Sequence, residues 1–191
     1  MRALILGSSS RYRRDLLTRL GLPFETIKPA VDETPEPGEL PAALAGRLAH
    51  AKATAILRAD AIVIGSDQVA SLEGRLLGKP GNFKSALEQL EACQGREVVF
   101  HTAVCVSISQ DRQISEHVDL TRVRFSKHSR AQLTRYLEQE PAFDCAGGFK
   151  AEGLGIALFE AIESHDPTAL IGLPMIWLAG ALRSAGLDPL A

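Results

Sequence analysis

Apolar positions along the chain follow two rhythms. Ala3–Leu6 and Ala61–Ile64 are unbroken apolar runs. A strand covered on both faces shows no alternation, so both read as buried strands of a parallel sheet. Leu16, Leu17 and Leu20 recur at helical spacing and predict a helix over Arg13–Leu20, closed by Gly21. Gly7–Ser10 is the turn between strand and helix. Pro23–Pro29 reads as a short strand through Phe24 and Ile27. Residues 31–41 are a loop rich in proline and acid, and a helix begins near Pro41, a residue suited to a first helical turn. Its stripe is Leu44, Leu48, Ala51, Ala55 and Ile56, with Lys52 beside it.

Residues 71–81 carry Gly74, Gly78, Pro80 and Gly81 and read as a hairpin or loop. Asn82 caps a helix that runs to Gln94 and closes at Gly95. Val98–Ser109 and Ile114–Phe125 read as long strands joined by a polar turn at Gln110–Gln113. Ser129-Arg130-Ala131-Gln132 is a capping box for a helix that stops at Pro141. Residues 146–155 form a Gly-rich loop, Ile156–Ile162 a strand or short helix, and Pro174–Ala185 a last helix closed by Gly186. This order predicts an α/β fold, a mixed twisted β-sheet flanked by helices with parallel strands at its centre. The 191 residues fit one domain, 1–191.

Composition narrows the function classes. The formal net charge is −2, so no overall field draws the chain to nucleic acid or an anionic membrane. Aromatic residues make up 5%, with no basic stripe interleaved by aromatics, which argues against an RNA-binding module. No run approaches the ~18 apolar residues of a membrane span. The apolar opening at Ala3–Leu6 is too short for a secretory signal, and a cytoplasmic location is expected. Cys93, Cys105 and Cys145 form no paired motif, so neither a disulfide framework nor a zinc site is expected. His50, His101, His117, His128 and His165 show no metal-ligand spacing and receive no role.

Several stretches carry candidate chemistry. Ser8, Ser10, Arg13 and Arg14 lie where a strand passes into a helix, a place that favours anions. Serine hydroxyls and arginine forks suit phosphate oxygens, although the same residues also read as a serine cap before a solvated basic turn. Asp67, at the carboxyl end of a buried strand, suits a proton acceptor for water or a ligand to a divalent metal, and equally a capping aspartate. Asp32 or Glu33 offers a second metal ligand, or is simply part of a solvated loop. Lys52 and Lys79 are two separated cations that match the spread charge of a triphosphate. Glu152 can accept hydrogen bonds from the N1–H and N2–H₂ edge of guanine. Cys145 reads as a buried structural thiol.

Taken in order, these stretches resemble the Maf family of nucleotide pyrophosphatases nearly end to end. The resemblance is carried by Leu4-Ile5-Leu6-Gly7-Ser8-Ser9-Ser10 with Arg13-Arg14, Val31-Asp32-Glu33-Thr34-Pro35, Gly65-Ser66-Asp67-Gln68-Val69 and Gly78-Lys79-Pro80. It continues through Cys145-Ala146-Gly147-Gly148-Phe149-Lys150 with Glu152-Gly153, and Leu170-Ile171-Gly172-Leu173-Pro174. It implies two lobes around a central cleft and hydrolysis of a nucleoside triphosphate to monophosphate and pyrophosphate. It also implies a magnesium or manganese ion at Asp67 and Glu33, and a soluble protein that often forms homodimers.

The resemblance casts Asp67 as the proton acceptor and Tyr12, Gln68 and Glu152 as the residues that choose the base. One branch of the family prefers dTTP and UTP and carries arginine, threonine and glutamine at those three positions. Another prefers 7-methyl-GTP and carries an aromatic, glutamine and glutamate, as here. That branch more often has tryptophan at position 12, and the family tends to proline where this chain has Arg11. A second implied reading is a nucleotide-binding regulator of septum formation.

Overall fold

The computed structural model describes residues 2–108 and 113–191. Seven strands form one mixed sheet in the order β2-β1-β3-β5-β6-β7, with β4 paired to β3. They are β1 (Ala3–Gly7), β2 (Glu25–Thr26), β3 (Ala61–Leu72), β4 (Arg75–Leu77), β5 (Glu97–Ile108), β6 (Gln113–Phe125) and β7 (Phe159–Glu163). The helices are α1 (Arg11–Thr18), α2 (Pro41–Thr54), α3 (Phe83–Cys93), α4 (Arg130–Gln139) and α5 (Met175–Ser184). Short 3₁₀ turns cover Ala146–Gly148, Leu154–Leu158 and Ala169–Ile171. No helix among the described residues is long and apolar enough to cross a membrane.

The two apolar runs at Ala3–Leu6 and Ala61–Ile64 lie side by side and parallel, Leu4 opposite Ile62 and Ile5 opposite Val63. Parallel pairing is confined to β2, β1 and β3, at one end of the sheet and not at its centre. The reason is connectivity. Only the segments carrying α1 and α2 are crossovers of the kind parallel neighbours require, while β3 to β7 follow one another as antiparallel neighbours.

β3 also runs much further than its apolar core. Beyond Ile64 it keeps an antiparallel partner in β5, from Gly65 opposite Cys105 to Leu72 opposite Val98. Gly65-Ser66-Asp67-Gln68 is therefore the middle of a long strand, not a turn after a short one. Glu73 and Gly74, both at positive φ, then turn the chain into β4. The expected polar turn at Gln110–Gln113 lies outside the described residues save for Gln113, which opens β6.

The helices agree with their local signals, with shifts of a residue or two. α1 begins at Arg11 because Ser10 is its cap, accepting from the Arg13 N–H. Asn82 caps α3, and Ser129 and Gln132 form the reciprocal capping box of α4. In α2 the buried face is Leu44, Ala45, Leu48, Ala49 and Ala53; Ala51 is only half buried and Ala55 is exposed. The helix is rotated from the expected stripe so that alanines face the sheet and Lys52 is carried inward, only 6% exposed.

Side-chain alternation divides the core. Leu4, Leu6, Ile62, Ile64, Val104 and Val106 pack under α1 and α5. Further along the long strands, Ala70, Leu72, Val98, Phe100, Val123 and Phe125 pack under α3 and α4. A third core, with Ala103 and Cys105, lies under α2. The first two cores are separate clusters, and a cleft is lined by Asp67, Gln68 and Val69 of β3.

Gly65 sets how closely α2 approaches. A Cβ there would lie 2.2 Å from the Ala49 carbonyl oxygen and 2.4 Å from the Ala53 nitrogen. Both are backbone atoms that cannot swing aside. Gly65→Ala is expected to lower stability by about 2–3 kcal/mol, read as a drop in the urea midpoint at unchanged slope.

Candidate active site

The cleft has a volume of about 720 Å³ and takes its lining from β1, α1, α2, β3, β4, β5 and the loops around 33, 79, 145–152 and 170–172. Such a volume suits a small-molecule ligand. Ser8, Ser10, Tyr12, Arg13, Glu33, Lys52, Asp67, Gln68, Lys79 and Glu152 all line it. Arg14 does not. One residue further round α1, it is exposed and lies 3.8 Å from Asp15, so the phosphate-binding role expected for it is not supported by its position. Asp32 is also outside, accepting the Thr34 N–H at 2.9 Å within its own loop.

At the centre is a buried lysine. Lys52 Nζ lies 2.7 Å from Asp67 Oδ1 and 2.7 Å from Glu33 Oε1. Alternation along β3 turns Asp67 toward α2, while Ser66 and Gln68 turn toward the 166–172 segment. Burial works to raise the Glu33 pKa, but the hydrogen bond and charge of Lys52, with Lys79 and Arg13, outweigh it and hold the carboxyl below its ordinary value. Burial pulls the Arg13 guanidinium below its ordinary pKa, opposed by Asp67 and Glu33. These four groups and Lys79 form one charge network at the floor of the cleft.

The helix start supplies the next layer. Ser8 Oγ accepts the Ser10 N–H at 3.1 Å and faces Arg13 Nη1 at 3.5 Å. Ser10 is both cap and cleft wall, so the two readings of this stretch hold together. Arg13 Nε donates to the Gly172 carbonyl at 3.0 Å, and Ser66 Oγ donates to the same carbonyl at 3.0 Å. Lys79 is presented by a loop fastened to α3 through the bond from Gln89 Nε2 to the Gly78 carbonyl.

Gln68 is more engaged than its expected role suggested. Its Nε2 lies 2.9 Å from Thr102 Oγ1 and 3.0 Å from each of the Ala169 and Leu170 carbonyls. The amide thus pins the 166–172 segment. No local signal announces this, because two of the three acceptors are main-chain carbonyls a hundred residues away.

The cleft lining also includes Tyr12, Cys145 and Glu152. Glu152 is set by a tight wrap of chain around Glu140, which accepts the Gly155 N–H. A Cβ on Gly153 would meet the Glu140 carboxylate at 2.0 Å, so any larger residue there would have to displace that side chain. Arg11, to which no role was given, donates to the Tyr12 hydroxyl at 3.0 Å and its guanidinium lies 4.8 Å from the ring centroid. One face of Tyr12 is therefore a cation–π surface already in use. Burial raises the Cys145 thiol to about 11, so it is no thiolate nucleophile.

Burial likewise pushes the Tyr12 phenol up to about 12, against the opposing Arg11 bond. Tyr136 is raised further, again by burial first. A free phenol ionises near 10, so the unfolded chain releases these protons before the folded chain does. Stability is then expected to fall as pH rises from 10 toward 12. A spectrophotometric titration near pH ~10.5 should show little phenolate in the native protein and more than half in the unfolded one. Native phenolate at that pH would contradict the burial of Tyr12.

Comparison with known proteins identifies the family of the chain. The family described as Maf-like protein matches residues 3–185. The chain is 56% identical over 188 residues to a 7-methyl-GTP pyrophosphatase of Xanthomonas oryzae pv. oryzae (strain MAFF 311018), covering 97% of this chain and 98% of the relative. It is 55% identical over 190 residues to a 7-methyl-GTP pyrophosphatase of Bordetella avium, covering 98% and 95%. It is 54% identical over 188 residues to a 7-methyl-GTP pyrophosphatase of Burkholderia thailandensis, covering 96% and 87%.

Proposed function

This chain belongs to the Maf family, and on that premise we propose that its cleft hydrolyses 7-methyl-GTP, or a closely related modified purine triphosphate, to the monophosphate and pyrophosphate. The observation that carries the reading is the pair of carboxylates on Lys52, in a cleft that is also lined by an arginine and serine helix start, an aromatic ring and a further carboxylate. The names of the relatives in Xanthomonas and Bordetella support the choice of base.

In this reading each residue has a task. The phosphates lie along Ser8, Ser10, Arg13 and Lys79, where cations and helix-start donors offset their charge. Asp67 takes a proton from water. The water oxygen bonds to the α-phosphorus, the bond from that phosphorus to the bridging oxygen breaks, and pyrophosphate leaves. Lys52 fixes the Asp67 carboxylate in place and stabilises negative charge gathering beside it. A methylated guanine is cationic, so it suits the Tyr12 ring and the Glu152 carboxylate, and its N1–H and N2–H₂ edge matches the two oxygens of Glu152. Gln68 acts mainly by holding the 166–172 segment.

The residues fit a divalent cation. Lys52 engages Oδ1 of Asp67 and Oε1 of Glu33, which leaves Oδ2 and Oε2 as hard oxygen donors. Two carboxylates completed by substrate phosphates are the set magnesium or manganese accepts. When bound there, the ion would acidify water and screen the phosphates. The three cysteines are free, in keeping with work on nucleotide pools in the reducing cytoplasm.

Pyrophosphate release from 7-methyl-GTP, GTP, dTTP, UTP and CTP, with magnesium or with EDTA, tests the reading. Metal-dependent turnover fastest with 7-methyl-GTP is expected, and Asp67→Asn should lower kcat by about 10²–10⁴-fold with binding retained. Preference for dTTP or UTP would overturn the assignment of Tyr12 and Glu152. No turnover of any nucleotide would leave a nucleotide-binding regulator as the reading.

A further inference from the structure

Away from the cleft, one group of metal-ligating side chains comes together from three elements: His50 of α2, Cys105 of β5 and Glu116 of β6. Cys105 and Glu116 are direct partners across the β5–β6 ladder, so both side chains stand on the same face of the sheet. α2 covers that face, and its Ala49 and Ala53 share a core with Cys105. His50 projects from the same helix and its Nδ1 lies 2.7 Å from Glu116 Oε1. One nitrogen, the thiol sulfur and one carboxylate oxygen all lie within 4.8 Å of one another.

We propose that His50, Cys105 and Glu116 bind a thiophilic divalent cation of the zinc class. Ligand atoms around a tetrahedral zinc ion stand ~3.3–3.8 Å apart, so the widest of these separations needs to close by about 1 Å. Two of the three side chains are half exposed, His50 at 47% and Glu116 at 52%, and can make that adjustment. They also give the ion a path from solvent to a sulfur that lies beneath them. Binding replaces the thiol proton, which passes to solvent, with a sulfur–metal bond. Thiolate and carboxylate together then neutralise the dication, so the filled site carries no net charge against the apolar core below it. A fourth position faces solvent and takes water.

The chemistry separates this site from the cleft. Sulfur and imidazole select zinc or cobalt over magnesium, whereas the carboxylate oxygens of Asp67 and Glu33 select the hard ion. The three ligands sit far apart in sequence, which is why no spacing motif reveals them. A filled site would fasten α2, two residues before Lys52, to β5 and β6.

The full chain, stripped by chelator, reduced and free of nucleotide, can be titrated with cobalt(II). One equivalent is expected to bind with sulfur-to-cobalt charge-transfer absorption and the visible bands of four-coordinate cobalt. Zinc should displace it, and zinc alone should raise the melting temperature. Cys105→Ser should abolish the charge-transfer band, while Cys145→Ser and Asp67→Asn should keep it. His50→Ala and Glu116→Gln, both at exposed positions that leave the core intact, should each weaken affinity at least about tenfold. Absence of the charge-transfer band, its survival in Cys105→Ser, or unchanged affinity in both His50→Ala and Glu116→Gln would overturn the proposal. Because no nucleotide is present, this outcome is independent of the hydrolytic reading.

Discussion

An ammonium group buried between two carboxylates is the constraint around which the molecule is arranged. Lys52 is almost wholly removed from water, and an unpaired charge in that position would cost several kcal/mol. It must meet both Asp67 and Glu33, and each partner imposes its own demand. α2 has to press close enough for the lysine to reach the sheet, which Gly65 and the alanine face of the helix permit. β3 has to continue past its apolar run so that Asp67 is held on a strand and not on a turn. The acidic loop has to fold back so that Glu33 arrives from the other side.

The same strand distributes the rest of the work by its alternation. Asp67 faces the lysine, while its neighbours Ser66 and Gln68 face the 166–172 segment and hold it by its carbonyls. That segment is fixed again by Asp166, which accepts from the Thr168 and Ile176 N–H groups and so ties it to the start of α5. Gly172 returns the favour to the cleft by orienting Arg13. Asp67 and Arg13 therefore rest on a strand and in the first turn of a helix, which keep their geometry narrow.

Much of this was legible in the sequence where the physics is local. Runs such as Ala61–Ile64, caps such as Asn82 and Ser129, and the glycine that closes α3 need only their neighbours. The residues of the charge network were also legible as types, since Ser8, Arg13, Lys52, Asp67 and Lys79 all reach the cleft. What failed to show depended on distant partners. The extent of β3 is set by β5, the burial of Lys52 by two carboxylates from separate segments, and the anchoring role of Gln68 by carbonyls near the carboxyl end. Arg14 shows the limit in the other direction. Its charge matched phosphate, but one step round the helix carries it into solvent.

If water activated at Asp67 attacks the α-phosphorus, its oxygen stays with the nucleoside monophosphate. Turnover of 7-methyl-GTP in ¹⁸O-labelled water, with the products separated and weighed by mass spectrometry, reports which phosphorus was attacked. A single labelled oxygen is expected in the nucleoside monophosphate and none in the pyrophosphate. Label in the pyrophosphate would place the attack on the β-phosphorus and contradict the geometry assigned to Asp67.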